Sequence, residues 1–222
     1  MTQAIIFDVE ATDKKEAVII EAASLDVTSL SPLEVGNPWV QRYNPGKPIS
    51  LGALATHHIM DEELVDCPPS QSFALPTTTQ YLIGHNIDFD WEAIGSPDVK
   101  RICTLALARS LWPELDSHTQ SALLYCFERA GAREQLRNAH SALADVWICS
   151  KILQHILDKL KPSSFEALWQ MSETARVPTV MPFGKHKGEL ISQVPADYKQ
   201  WMLRQDNVSE YLRKALTAKE AH

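Results

Sequence analysis

Asp8 and Glu10 stand two residues apart at the end of an apolar run, AIIFDVE over 4–10. Along a strand, residues two apart share a face, so both carboxylates point the same way. Partly buried and side by side, they are costly to keep ionised unless a cation compensates. A hard divalent ion such as Mg²⁺ takes carboxylate oxygens in this way. Alone, the pair is a weak signal and reads better as a strand end turning into solvent, where acidic residues are common. More acids stand at other element ends. GHNIDFDW (84–91) sets Asp88 and Asp90 just past a second apolar strand, and HSALAD (140–145) sets Asp145 in the first turns of a long apolar-faced segment. Singly, Asp145 complements a helix dipole, and His140 before it is a surface or capping histidine. Together they are carboxylates and a histidine gathered at the ends of regular elements.

The elements that must position them are short strands followed by strand–helix units. Strands are expected over 3–10, 17–27 and 38–43, close enough to form a meander. A helix is expected over 49–64 with Ser50 as N-cap. A fourth strand follows at 80–86, a short helix from about Asp88 with Asp88 as its cap, and a fifth strand at 99–104. Helices follow over 104–111 and 118–131, then a long amphipathic helix over 140–160 capped by Ser141. Pro162, Ser163 and Ser164 read as a linker. Further helices are expected over 165–174, 196–205 and 208–219. This is an α/β pattern with a sheet of mixed direction, and ligands on such sheets gather at strand ends. Two domains are expected, 1–161 and a small, mostly helical module at 162–222.

Composition narrows the class. The chain has 222 residues, 45% of them hydrophobic and 22% charged, which suits a globular fold with a sizeable core. Its four cysteines are scattered without a CxxC pair, so neither a disulfide framework nor a zinc knuckle is expected, and a reducing cytoplasm fits. An early first strand leaves no room for a signal peptide, and no apolar run reaches the roughly 18 residues of a membrane span. The net charge of -7 is uneven: residues 1–150 hold 10 Lys/Arg against 20 Asp/Glu, and residues 151–222 hold 11 against 8. The acidic part could carry a metal site and the mildly basic tail could touch phosphates; ordinary surface variation explains the tail equally well.

D-x-E on the first strand, H-N-x-x-F-D after a middle strand and H-x-x-x-x-D opening a late helix occur in order. The chain thereby resembles the DEDD family of 3′→5′ exonucleases in its histidine subclass; the tyrosine subclass would need Tyr where Ser141 stands. PISLGALATHHIMDEELVDCPP (48–69) resembles a further family segment, and ICTLALARSLWP (102–113) and FGKHKGELISQV (183–194) look like stretches of the exonuclease X branch. The resemblance implies a ribonuclease H-like fold: a mixed five-stranded sheet, three strands in a meander plus parallel strands, flanked by helices. It also implies two Mg²⁺ (or Mn²⁺) ions held by Asp8, Glu10, Asp90 and Asp145. Asp8 would bridge them, Glu10 and Asp145 would complete the nucleophile side, and Asp90 would act on the leaving-group side. His140 would be the general base. The same likeness places Thr12, Leu54, His57, Asn86 and Phe89 at the substrate. One departure is Asp13, where the family usually has glycine.

The implied activity is release of nucleoside 5′-monophosphates from DNA 3′ ends, single-stranded or at duplex ends, in DNA repair. RNA as substrate and a homodimer stay open. The rival readings are an exoribonuclease of the same family and a non-catalytic, polymerase-associated scaffold. Lys185 and Lys187, on either side of His186 in the FGKHKG turn, are candidate phosphate contacts or ordinary surface lysines. Phe89 and Trp91 read as base-stacking residues or as core, whereas Trp147, Trp169, Trp201 and Leu203 are expected in the core.

Overall fold

The computed structural model describes residues 3–138, 140–206 and 208–218. Five strands, β1 (Ala4–Ala11), β2 (Ile19–Leu30), β3 (Leu33–Arg42), β4 (Tyr81–Gly84) and β5 (Lys100–Cys103), form one sheet in the order β3-β2-β1-β4-β5. β1, β2 and β3 are the antiparallel meander; β4 and β5 run parallel to β1. This is a ribonuclease H-like mixed sheet: the element pattern predicts the mixed direction, and the family resemblance implies the fold. β1 is central, and its first four residues are all buried, as expected where both faces are covered.

The helices are α1 (Leu51–His57), α2 (Asp88–Ala93), α3 (Thr104–Leu111), α4 (Gln120–Phe127), α5 (Arg129–Gln135), α6 (Ala142–Leu160), α7 (Phe165–Arg176), α8 (Ala196–Leu203) and α9 (Glu210–Thr217). α6 packs on β1 and β2. Its buried Ala142, Val146, Cys149, Ile152, Leu153 and Ile156 recur every three or four residues, one apolar stripe of a helix. On the other face of β1, Ile5, Phe7 and Val9 join a core with Ile19, Leu82 and Ile87. Alternation then leaves Asp8 and Glu10 on the α6 side.

Several expectations are corrected. The helix foreseen over 49–64 stops at His58, whose left-handed φ of 60° ends α1; a separate 3₁₀ turn follows at Asp61–Leu64. The helix foreseen over 118–131 is broken at Glu128 (φ -129°, ψ 43°) into α4 and α5. Trp147 and Trp201, expected in the core, are 40% and 51% exposed. Trp169 is half-buried with the Lys100 ammonium 4.4 Å above its ring.

The chain forms two compact units, residues 1–172 and 173–222. The stretch Pro162–Ser164 lies within the first, because the start of α7 is tied to the sheet edge. Phe165 stacks on Tyr81 at 5.6 Å, Glu166 pairs with Lys100 at 2.5 Å, and Ser172 Oγ accepts from the Cys103 amide at 2.8 Å. The second unit has its own apolar core, including Met181, Ile191, Val194, Met202, Leu212 and Leu216. Among the described residues, no helix is long and apolar enough to cross a membrane.

Candidate active site

Three carboxylates converge where β1 ends. Oxygens of Asp8, Glu10 and Asp145 all lie within 4.8 Å of one another. The strand supplies the first two on one face; α6 delivers the third from its first turn. Ser141 caps that helix by accepting from the Ala144 amide at 3.4 Å, so the sequence that starts the helix also fixes where Asp145 stands.

Asp90 is buried near them, outside that 4.8 Å group, and accepts from the Val9 amide at 2.9 Å. It reaches this place because the chain reverses sharply after β4. Gly84 makes the reversal fit: a Cβ there would come within 2.6 Å of Ile87 Cδ1 and 2.9 Å of the Phe7 carbonyl. Asn86 follows in the left-handed region, φ 68°, which Asn tolerates better than most residues. Asp88, expected to cap α2, instead pairs with Arg101, whose guanidinium lies 4.0 Å from the Trp91 ring centre; Ile87 occupies the cap position.

The electrostatics follow from burial without compensation. Burial, reinforced by Asp90, Asp145 and Glu10, holds the Asp8 carboxyl well above the usual carboxylate range. Burial and the neighbouring Asp145 and Glu21 push Glu10 up to about 9. Burial lifts Asp90 to about 8, although its backbone hydrogen bonds oppose the rise. Asp145 is raised by burial and partly relieved by the charge and backbone N–H of His140. Such a group cannot ionise in full without cations. The donors are all carboxylate oxygens, closely spaced, with no Lys or Arg ion-paired to them among the described residues. That set fits hard divalent ions, which bind oxygens at about 2.0–2.6 Å.

His140 is exposed, at φ 66°, immediately before the Ser141 cap. Beside Glu10 lies a cavity of about 340 Å³, lined by Glu10, Ala11, Ala53, Thr56, His57 and Phe89, among others. His57 is buried there. Its Nδ1 accepts from the Ile59 amide at 3.0 Å, and its Nε2 faces the Ala11 carbonyl without completing a hydrogen bond. Because Nδ1 accepts, Nε2 carries the ring proton, and burial lowers the pKa.

Of the other expected substrate residues, Thr12 is buried, with its hydroxyl accepting from the Val18 amide at 3.3 Å. Leu54 packs against Ile20, Ile49, Ile59 and Leu64. Asn86 is exposed on its turn. These three build the surroundings and do not line the cavity. Lys185 and Lys187 are exposed residues of the second unit.

Sequence reasoning missed Glu21, Lys14 and His85. Glu21 is 5% exposed on β2, directly across from Glu10. It accepts from Arg42 Nε at 3.0 Å and from the Ala142 amide at 3.0 Å, tying β2 to the start of α6. Nothing in its local sequence signals this. Lys14 stands on the cavity rim. His85, in the second motif, is a scaffold group: Nε2 faces the His118 carbonyl at 2.8 Å, so Nδ1 accepts from Thr104 Oγ1 at 3.0 Å. Burial lowers its pKa to about 4.

A mixed sheet with carboxylates at the end of its central strand is the architecture of nucleases of this fold. Exodeoxyribonuclease 10 of Escherichia coli K12 is 29% identical over 207 residues, covering 89% of this chain and 90% of that protein. This span exceeds the 172 residues of the first unit and so enters the second. A structure of exonuclease X in complex with 5′ overhanging duplex DNA matches with TM-score 0.60 and 25% identity, covering 76% of this chain and 99% of that one. E. coli exonuclease I in complex with a dT13 oligonucleotide shares the fold, with TM-score 0.56, 19% identity, and 71% and 41% coverage. Residues 170–217 match a family model described as a putative quorum-sensing-regulated virulence factor. The chain is thus similar to exonuclease X proteins over most of its length.

Proposed function

We propose that this protein is a metal-dependent 3′→5′ exodeoxyribonuclease of the DEDDh type, releasing nucleoside 5′-monophosphates from DNA 3′ ends in DNA repair. The observation that carries the reading is the meeting of Asp8, Glu10 and Asp145 within 4.8 Å, with Asp90 buried near them. The likeness to an exodeoxyribonuclease over most of both chains supports DNA as the substrate.

Two Mg²⁺ or Mn²⁺ ions held by these four carboxylates would activate a water and stabilise the leaving oxygen of the scissile phosphodiester. Asp8, whose carboxyl is raised by burial and by the other three acids, would be a ligand to the ions. His140, exposed beside Asp145, takes the proton of the attacking water. The cavity next to Glu10 receives the terminal nucleoside, with Phe89 and His57 in its wall. Lys14 at its rim is suited to a phosphate.

The test uses 3′- and 5′-labelled DNA and RNA oligonucleotides with Mg²⁺, Mn²⁺ or EDTA. The expected result is metal-dependent shortening of DNA from the 3′ end with mononucleotide release. Faster shortening of the RNA would transfer the reading to an exoribonuclease. No cleavage of either polymer, with Mn²⁺ still bound, would replace it with a scaffold role.

A further inference from the structure

The second unit carries a row of aromatic rings that runs from its core to an exposed end. The turn Phe183–Gly188 sits on Tyr198 of α8. Gly184, at φ 82°, allows this: a Cβ there would lie 2.5 Å from the Tyr198 hydroxyl. That hydroxyl accepts from the Lys185 amide at 3.2 Å. His186 is pinned between Glu189, at 2.9 Å, and the Tyr198 ring, edge-on at 4.6 Å. Tyr198 in turn packs on Trp201 at 5.3 Å. Three rings form a ladder, and its outer end, Trp201, is 51% exposed. Tyr198 and Trp201 lie three apart on α8, and exposed Arg204 continues the same stripe.

Cations lie on the turn that this ladder carries. Lys185 and Lys187 are exposed and form no ion pair among the described residues, while the adjacent Glu189 is occupied by His186. Residues 173–222 hold 8 Lys/Arg against 6 Asp/Glu, whereas residues 1–172 hold 13 against 22. The basic character of an acidic protein is thus concentrated in the unit with the exposed indole. The centre of a protein–protein interface is depleted of charge; an aromatic platform with flanking lysines is the arrangement that takes unpaired bases and their phosphates.

We infer that the face formed by Lys185, Lys187, Tyr198 and Trp201 is a second nucleic-acid site, which stacks an unpaired base on Trp201 and brings the adjoining phosphates to the two lysines. The inference rests on the nucleic-acid substrate proposed above and adds a contact outside the carboxylate site. Its ligand is single-stranded, because bases within a duplex are not free to stack on a side chain.

The experiment uses the full chain carrying Trp201→Ala, Trp201→Phe, or Lys185→Ala with Lys187→Ala. Fluorescence anisotropy with a labelled 20-nucleotide dT strand in EDTA reads binding without cleavage. Turnover is then compared on that strand and on a trinucleotide too short to reach beyond the carboxylate site. Trp201→Ala is expected to weaken binding of the long strand about tenfold and raise its KM, with the trinucleotide rate unchanged. Trp201→Phe should recover most of the loss. The double lysine variant should weaken binding about fivefold and flatten its salt dependence by one to two counterions. Unchanged affinity for the long strand in both Trp201→Ala and the double lysine variant would overturn the inference and leave the face to a protein partner. A wild-type protein that binds the strand but cleaves nothing would defeat the exonuclease reading and leave this one standing.

Discussion

Glu10 and Glu21 face each other across β1 and β2, yet their surroundings differ in kind. Glu21 is buried and answered: Arg42 Nε and the Ala142 amide each donate to it at 3.0 Å. Glu10 faces Asp145, Glu21 and Asp90 with no ion-paired Lys or Arg among the described residues, and it is pushed up to about 9. A protein builds the first arrangement to hold its parts together. The second is costly in the bare chain and makes sense where a cation arrives from solution.

The largest effects should come from removing members of the unanswered group. Asp8→Asn or Asp145→Asn is expected to lower kcat about a thousandfold or more, on the order of 4 kcal/mol in the barrier. Isothermal titration with Mn²⁺ should show a parallel loss of binding. His140→Ala should lose turnover by about a hundredfold while Mn²⁺ binding persists. Loss of binding in that variant would give His140 a structural part in the metal site and end the division between ligands and base.

Next comes stability without metal. Glu10 rises from an ordinary value of 4.5 to about 9, and Asp90 from 3.8 to about 8. The folded state therefore keeps protons that the unfolded state releases, so stability declines as pH climbs from about 4 to 9. In EDTA, urea unfolding should show a loss of a few kcal/mol between pH 5.5 and pH 8.5. Saturating Mn²⁺ should restore more at the higher pH. A metal-free protein steadier at pH 8.5 than at 5.5 would mean that the acids are compensated from within.

The answered glutamate should respond differently. Glu21→Ala leaves Arg42 with Glu63 as its remaining carboxylate partner and leaves the Ala142 amide buried without its acceptor. Because Arg42 is 40% exposed, the cost falls below that of a fully buried pair, at about 2–3 kcal/mol. Asp145 would shift with the start of α6, so kcat should fall about tenfold while KM for DNA stays near its original value. Thermal unfolding together with the kcat and KM split reads both consequences.

The unanswered acids were legible in the sequence because each sits at the end of an element whose periodicity is plain, and because their order matches a known family. The answering group was not. Glu21 gains its meaning only from the register that sets it across from Glu10 and from a helix 121 residues further along, and neither is written locally. Helix ends failed for a related reason. His58 accepts a left-handed φ that its residue type does not announce, and Glu128 breaks a run that propensity would carry through. Trp201 was expected in the core because spacing marks an apolar stripe and does not say whether anything covers it. Asp13 stands where the family has glycine without adopting a left-handed φ, and its carboxylate accepts from the Lys14 amide at 2.5 Å.

The finest contrast is between Glu10→Gln and Glu21→Gln. Both remove one charge and keep the shape. At Glu21, the amide oxygen can still accept from Ala142, and the lost attraction to Arg42 is limited by that side chain's exposure. Stability should drop by about 1 kcal/mol and kcat by no more than about threefold. At Glu10, the same change relieves a buried carboxylate of its like-charged neighbours, so the metal-free protein should become steadier at pH 8 while activity is lost. Opposite signs in stability from one substitution at two facing positions would separate the residue that awaits a cation from the one that already has it. A stability gain at Glu21 as well would place both glutamates in a single unanswered cluster.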